Sequence, residues 1–209
     1  THREVVEAAP RARRAEREWR RLCGDRVFHM ADLHARRGDF KGWSSEQAGG
    51  LCRAAVALVN RYASYRAAVS CNLGDAARLL PSGHVIPELA PLRDASSEAY
   101  PACFQMLMVA LTKMVAARRA TPDRMAYFLE RGDRHSGYAL SFLDGMPESA
   151  KDLYQYGFRR VVPKGSARLL EAADLLAWEW GKHVDRLADG LKSRPSLDAL
   201  AGGPVGPVD

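Results

Sequence analysis

The chain has little cysteine, little lysine, and no long apolar run. Each shortage excludes something. Its four cysteines, Cys23, Cys52, Cys71 and Cys103, are widely spaced and none forms a C-x-x-C pair. That spacing fits neither a zinc site nor a disulfide framework, so they read as small buried residues of a reducing compartment. No stretch approaches the roughly 18 uninterrupted apolar residues of a membrane span. The arginine-rich N-terminus has no apolar segment of the secretory kind. These readings predict a cytoplasmic protein with no membrane partner. Several chemistries lack their signatures as well. There is no G-x-x-x-x-G-K-[ST] phosphate loop, no G-x-G-x-x-G, no G-x-S-x-G elbow and no H-E-x-x-H.

What is present is an ordinary globular composition with a basic excess. The 209 residues carry 47% hydrophobic and 27% charged residues. That length suits one domain with a full core, or one domain plus appendages. The formal net charge is +6. It arises from 31 basic residues, 25 of them arginine and 6 lysine, against 25 acidic ones. An excess of this kind is compatible with a nucleic-acid partner and equally with a coding bias towards arginine and alanine.

Periodicity divides the chain into alternating elements. Ala12, Ala15, Trp19 and Leu22 recur at helical spacing, which predicts an amphipathic N-terminal helix with a basic outer face over 1–26. Residues 27–34 are compatible with a strand running into a short helix, and 38–43 with a turn. Ser44 is placed as an N-cap with Gln47 at the capping-box position, opening a helix over 44–62. Strands are expected near 65–71, 124–130 and 156–162, and helices near 97–119, 137–150 and 167–188. The nearly continuous apolar run 125–129 suits a strand buried on both faces. Residues 72–96 read as an irregular insertion. The tail, 190–209, is rich in Gly and Pro and reads as disordered. Strands separated by long helices predict an α/β domain over 27–189.

Three carboxylates stand out by context. Glu130 closes the apolar strand and is followed by Arg131-Gly132-Asp133. Sites in open α/β sheets gather at the carboxyl ends of strands, although a solvated strand end is as good a reading. Asp174 lies inside a helix, where aspartate is unfavourable, and no cation stands three or four residues away. It borders the stripe Leu170, Ala173, Ala177, Trp180 and Val184, so it needs a partner from elsewhere, unless it simply faces solvent. A metal ion would serve, or Lys164 in its place. Asp32 follows His29 at i+3, a spacing that can share a metal and more often marks a local hydrogen-bonded pair. Glu171 has Arg168 three residues before it, so an ordinary surface pair explains it.

Four stretches taken together resemble the domain-of-unknown-function 3800 family. They are Phe28-His29-Met30-Ala31-Asp32, Phe40-Lys41-Gly42-Trp43, Tyr127-Phe128-Leu129-Glu130-Arg131-Gly132-Asp133, and Leu170-Glu171-Ala172-Ala173-Asp174-Leu175-Leu176-Ala177-Trp178-Glu179. The last is the most specific, although the family usually has Gln where this chain has Glu171. The resemblance covers residues 19–188. It implies a ribonuclease H-like fold: a central mixed sheet with helices on both faces. It also implies a metal-dependent nuclease, with Glu130 and Asp174 catalytic around Mg²⁺ or Mn²⁺. The reading of the residues adds Asp32 as a further ligand, with Glu171, Lys164 and His29 in support. Glu130 and Asp174 would then approach within about 8 Å, as oxygen ligands of one or two ions.

The sequence departs from this pattern at its start. Family members open with a strand ending in an acidic Asp-Glu-Ser motif, and upstream of Trp19 this chain has only an Arg/Glu/Ala helix. The N-terminal strand is expected to be missing, through truncation, a misplaced start or genuine loss. Two expectations follow. The domain is either a metal-dependent nuclease, active or inactive without that strand, or a non-enzymatic module binding nucleic acid or protein. A sheet edge left uncovered would also favour a homodimer.

Overall fold

The computed structural model describes residues 10–71, 95–117, 124–132 and 136–201. They form two units. The first joins the described residues up to Arg66 with those from Pro163 onward, and the second spans Ala67–Val162.

The first unit is helical. Helix α1, Pro10–Cys23, buries Ala15, Trp19 and Cys23 along one stripe. Helix α2, Met30–Ala35, is a short one that buries Met30 and Leu33. It ends on Arg36 in the left-handed region, φ 53°. A 3-10 turn, Gly38–Phe40, follows and buries Phe40. Helix α3, Ser45–Tyr62, opens with the expected capping box: the Ser44 side chain accepts from Gln47 N–H, and the Gln47 side chain accepts from Ser44 N–H. Helix α7, Leu169–Ala188, and helix α8, Pro195–Ala201, complete the unit. Trp19, Phe28, Phe40, Leu51, Val56, Leu175 and Leu200 share one core. Trp19 meets Phe28 edge-to-face at 5.3 Å.

The second unit is α/β. Helix α4, Ala95–Ala116, precedes strand β1, Met125–Glu130. Two short helices, α5 (Ser136–Asp144) and α6 (Glu148–Leu153), cross over to strand β2, Tyr156–Val162. The strands pair in parallel, with Tyr127 opposite Arg159 and Glu130 opposite Val162. Such pairing requires a crossover of this kind. Alternate residues of β1, Tyr127 and Leu129, pack on Met108, Phe142 and Leu143.

The architecture is therefore mixed α/β and mostly helical. Among the described residues its sheet has two strands, β1 and β2. Several expectations change. Residues 65–71 form no strand. The buried Arg66 donates instead to the Leu200 carbonyl of α8, which draws the segment towards a helix end rather than a ladder. Residues 27–29 are likewise not in a strand, and the helix begins at Met30. The predicted helix over 137–150 breaks at Gly145–Pro147, because the residue before a proline is pushed out of the helical region. β1 is open on one face, with Phe128 42% exposed. The tail expected to be disordered from 190 contains α8, whose Leu197 and Leu200 are buried in the first unit. The expected irregular insertion falls almost wholly on 72–94, outside the described residues. No helix among the described residues is long and apolar enough to cross a membrane.

Candidate functional site

The site is built at the start of α2. The first amides of a helix have no partner within it. His29, the residue before Met30, supplies no capping side chain. Asp174 supplies it from α7: its Oδ2 accepts from Met30 N–H at 2.7 Å. A carboxylate is well placed there, because the helix dipole is positive at that end. This contact, spanning 144 residues of sequence, is the compensation that Asp174 required.

His29 lies between two carboxylates. Its Nδ1 is 3.1 Å from Asp32 Oδ2, and its Nε2 is 3.7 Å from Asp174 Oδ1. Asp32 is held from its other side, with Arg37 Nε donating to Oδ1 at 2.5 Å. The turn that makes this reach available contains Gly38 at φ +55°, where a Cβ would lie 3.7 Å from Asp32 Oδ2. The Arg37 hydrogen bond holds the Asp32 carboxyl below its ordinary range; desolvation opposes it, and His29 adds to the lowering. His29, Asp32 and Asp174 are each about one-third exposed at the side chain, so the cluster is reachable from solvent.

The protonation pattern follows from donor and acceptor inventories. A carboxylate only accepts, so the imidazole nitrogen facing Asp32 carries a proton. In a neutral imidazole Nε2 then presents a lone pair towards Asp174 Oδ1. Between two such atoms 3.7 Å apart, a second ring proton, a water molecule or a metal ion can each make the link.

Glu171 behaves differently from expectation. It pairs with Arg168 as the spacing suggested, at 2.9 Å, but the pair is buried, with side chains 5% and 9% exposed. Trp19 Nε1 donates to its Oε2 at 2.8 Å. Arg168 Nη1 also donates to the Arg26 carbonyl at 2.6 Å and Nη2 to the Gly24 carbonyl at 3.2 Å, while its buried Nε has no partner among the described residues. This network fastens the start of α7 to the end of α1. Burial, with the nearby Glu171 charge, pushes the Cys23 thiol up to about 12. Lys164 is exposed in the turn after β2, and the partner of Asp174 is the Met30 amide instead.

Glu130 ends β1 where expected, half-buried, with the next amide, Arg131 N–H, bonded to Val162 O. It belongs to the second unit and Asp174 to the first. The sequence reading passed over Glu179. It is fully buried, two helical turns beyond Glu171 on the same stripe of α7, and its partner is Arg194 Nε at 3.3 Å. The periodic placement Glu171, Leu175, Glu179 was the available signal.

No family model, curated protein or solved structure matches this chain.

Proposed function

We propose that the first unit is a nuclease-type domain that hydrolyses phosphodiesters with the help of a divalent ion, His29 and Asp174 forming the working pair and Asp32 positioning His29. The ribonuclease H-like character belongs to this proposal and rests on the resemblance of the four sequence stretches. The observation that supports the activity is the Asp32–His29–Asp174 arrangement. It has the form of a carboxylate that orients a histidine through one nitrogen and leaves the other free to bind.

The donor set bears on how many ions it could hold. Both oxygens of Asp32 are engaged, by His29 and Arg37. Asp174 Oδ2 is engaged by Met30 N–H. Asp174 Oδ1 and His29 Nε2 remain, one oxygen and one imidazole nitrogen, a pair that a single Mn²⁺ accepts more readily than Mg²⁺, with water or substrate phosphate on its other positions. A two-ion site of clustered carboxylates does not fit the described residues of this unit. No group of three or more His, Cys, Asp or Glu side chains suited to a metal occurs among the described residues. A bound ion would supply Lewis-acid polarisation of a phosphoryl oxygen.

A second reading has its own support. Met30 N–H and Arg37 already satisfy one oxygen each of Asp174 and Asp32. A protonated His29 would complete a self-contained clamp between α2 and α7. The unit would then be a non-enzymatic module. Hydrolysis of bis(p-nitrophenyl) phosphate with Mn²⁺ separates the two. Metal-dependent turnover in the wild type, lost in Asp174→Asn and in His29→Gln, supports the enzyme. Turnover absent from the wild type, or unchanged from the wild type in both variants, leaves the clamp.

A further inference from the structure

We propose that Arg13, Arg17 and Arg21 on α1 form a docking track for the phosphate backbone of a nucleic-acid duplex. This goes beyond the metal reading and does not depend on it.

The three residues are spaced four apart, so their side chains form one row along the helix. The row lies on the face opposite Ala15, Trp19 and Cys23, which are buried, and all three arginines are exposed. Their neighbours on the same helix are engaged. Arg11 donates to the Arg61 carbonyl, Arg14 faces Glu18 at 3.8 Å, and Arg20 pairs with Glu16 at 2.7 Å. No hydrogen bond or ion pair involves Arg13, Arg17 or Arg21 among the described residues. Among the described residues, the arginines of this helix that have neither a hydrogen bond nor an ion pair therefore lie in a single line.

At 1.5 Å per residue the row is about 12 Å long. One strand of a duplex advances about 3.4 Å per nucleotide, so this length spans roughly three to four phosphates. Guanidinium groups are planar forks suited to phosphate oxygens. A regular line of them matches a regularly repeating polyanion better than the scattered carboxylates of an acidic protein surface. An anionic membrane is the competing polyanion. Interfacial helices hold themselves there with an apolar face, and α1 has committed its apolar face to the core of its own unit.

The test uses the full chain, a fluorescein-labelled mixed-sequence DNA duplex, and EDTA throughout, with binding read by anisotropy. Three phosphate contacts predict a slope of about −2.7 for log K against log salt, which is about a 40-fold loss of affinity between 50 and 200 mM salt. R13Q/R17Q/R21Q should abolish the slope while leaving the circular dichroism spectrum unchanged. K41Q/R53Q/K192Q removes the same charge from exposed positions elsewhere and should leave the slope intact. Equal losses in both triple variants would show a response to net charge alone and overturn the track. So would an unchanged slope in R13Q/R17Q/R21Q. Binding to phosphatidylserine vesicles at least as tight as to the duplex, and lost with the same row, would overturn the nucleic-acid assignment in favour of a membrane. Because EDTA removes divalent ions, failure here leaves the Asp174 site untouched, and failure of that site leaves the track untouched.

Discussion

Replacing Arg194 by Met should destabilise the first unit by about 3 kcal/mol. Glu179 is 0% exposed, and the Arg194 guanidinium at 3.3 Å is its ion-pair partner. Neither oxygen of Glu179 has a hydrogen bond in the structure. Removing one partner of a buried pair costs ~3–5 kcal/mol, because the other charge is left uncompensated in a low-dielectric surrounding. The lower end applies here. Arg194 is itself 27% exposed, and its contact with Glu179 lies outside hydrogen-bond geometry. A further contribution of about 0.5–1 kcal/mol comes from the guanidinium lying over Trp178, 4.6 Å from the ring centre. All four tryptophans, Trp19, Trp43, Trp178 and Trp180, belong to the first unit. Urea unfolding followed by tryptophan fluorescence therefore reports this unit alone. The double variant E179M/R194M should recover most of the loss, since an apolar pair of similar volume replaces a buried ion pair at little cost. A loss below about 0.5 kcal/mol for R194M, or a double variant no more stable than the single one, would refute the uncompensated-charge argument.

Glu171→Gln should cost a similar amount, roughly 3 kcal/mol, because Arg168 then stays buried without its carboxylate; the same fluorescence transition measures it. Cys23, pushed up to about 12, should resist iodoacetamide at pH 8.5 in the native protein and react once urea exposes it, as peptide mass spectrometry would show. Asp32 has a lowered folded-state value. Its contribution to stability is present above the unfolded carboxylate range and is lost as pH falls through the folded value, below about pH 4. Arg37→Gln should move the Asp32 titration upward, read from its side-chain carboxyl chemical shift, and an unmoved titration would show that Arg37 is not the cause.

Local signals were legible in the sequence wherever local chemistry decides the structure. The Ser44–Gln47 capping box specified the start of α3, and the apolar run ending at Glu130 specified β1. Elements that depend on distant contacts were not. Residues 65–71 have the composition of a strand, yet Arg66 bonds to Leu200, 134 residues away. α8 was hidden by the Gly and Pro around it, although Leu197 and Leu200 stand at helical spacing. The site shows the same division. Asp174 was conspicuous as a helix aspartate without a local cation, and the His29–Asp32 pair was legible from its spacing. That Met30 N–H would complete Asp174 was not, because a backbone amide leaves no trace in side-chain patterning. The Glu171–Arg168 pair was legible, and its burial was not, since Trp19 covers it from another helix.

The most direct test of the central claim is Mn²⁺ binding to the full chain, followed by electron paramagnetic resonance of the free ion. An ion held between His29 Nε2 and Asp174 Oδ1 predicts a saturable site of one Mn²⁺ per chain. It should be lost in Asp174→Asn and in His29→Gln, and weakened about 10–100-fold in Asp32→Asn, where the orienting carboxylate is gone. No saturable binding at millimolar Mn²⁺, or binding that survives both Asp174→Asn and His29→Gln, would contradict it.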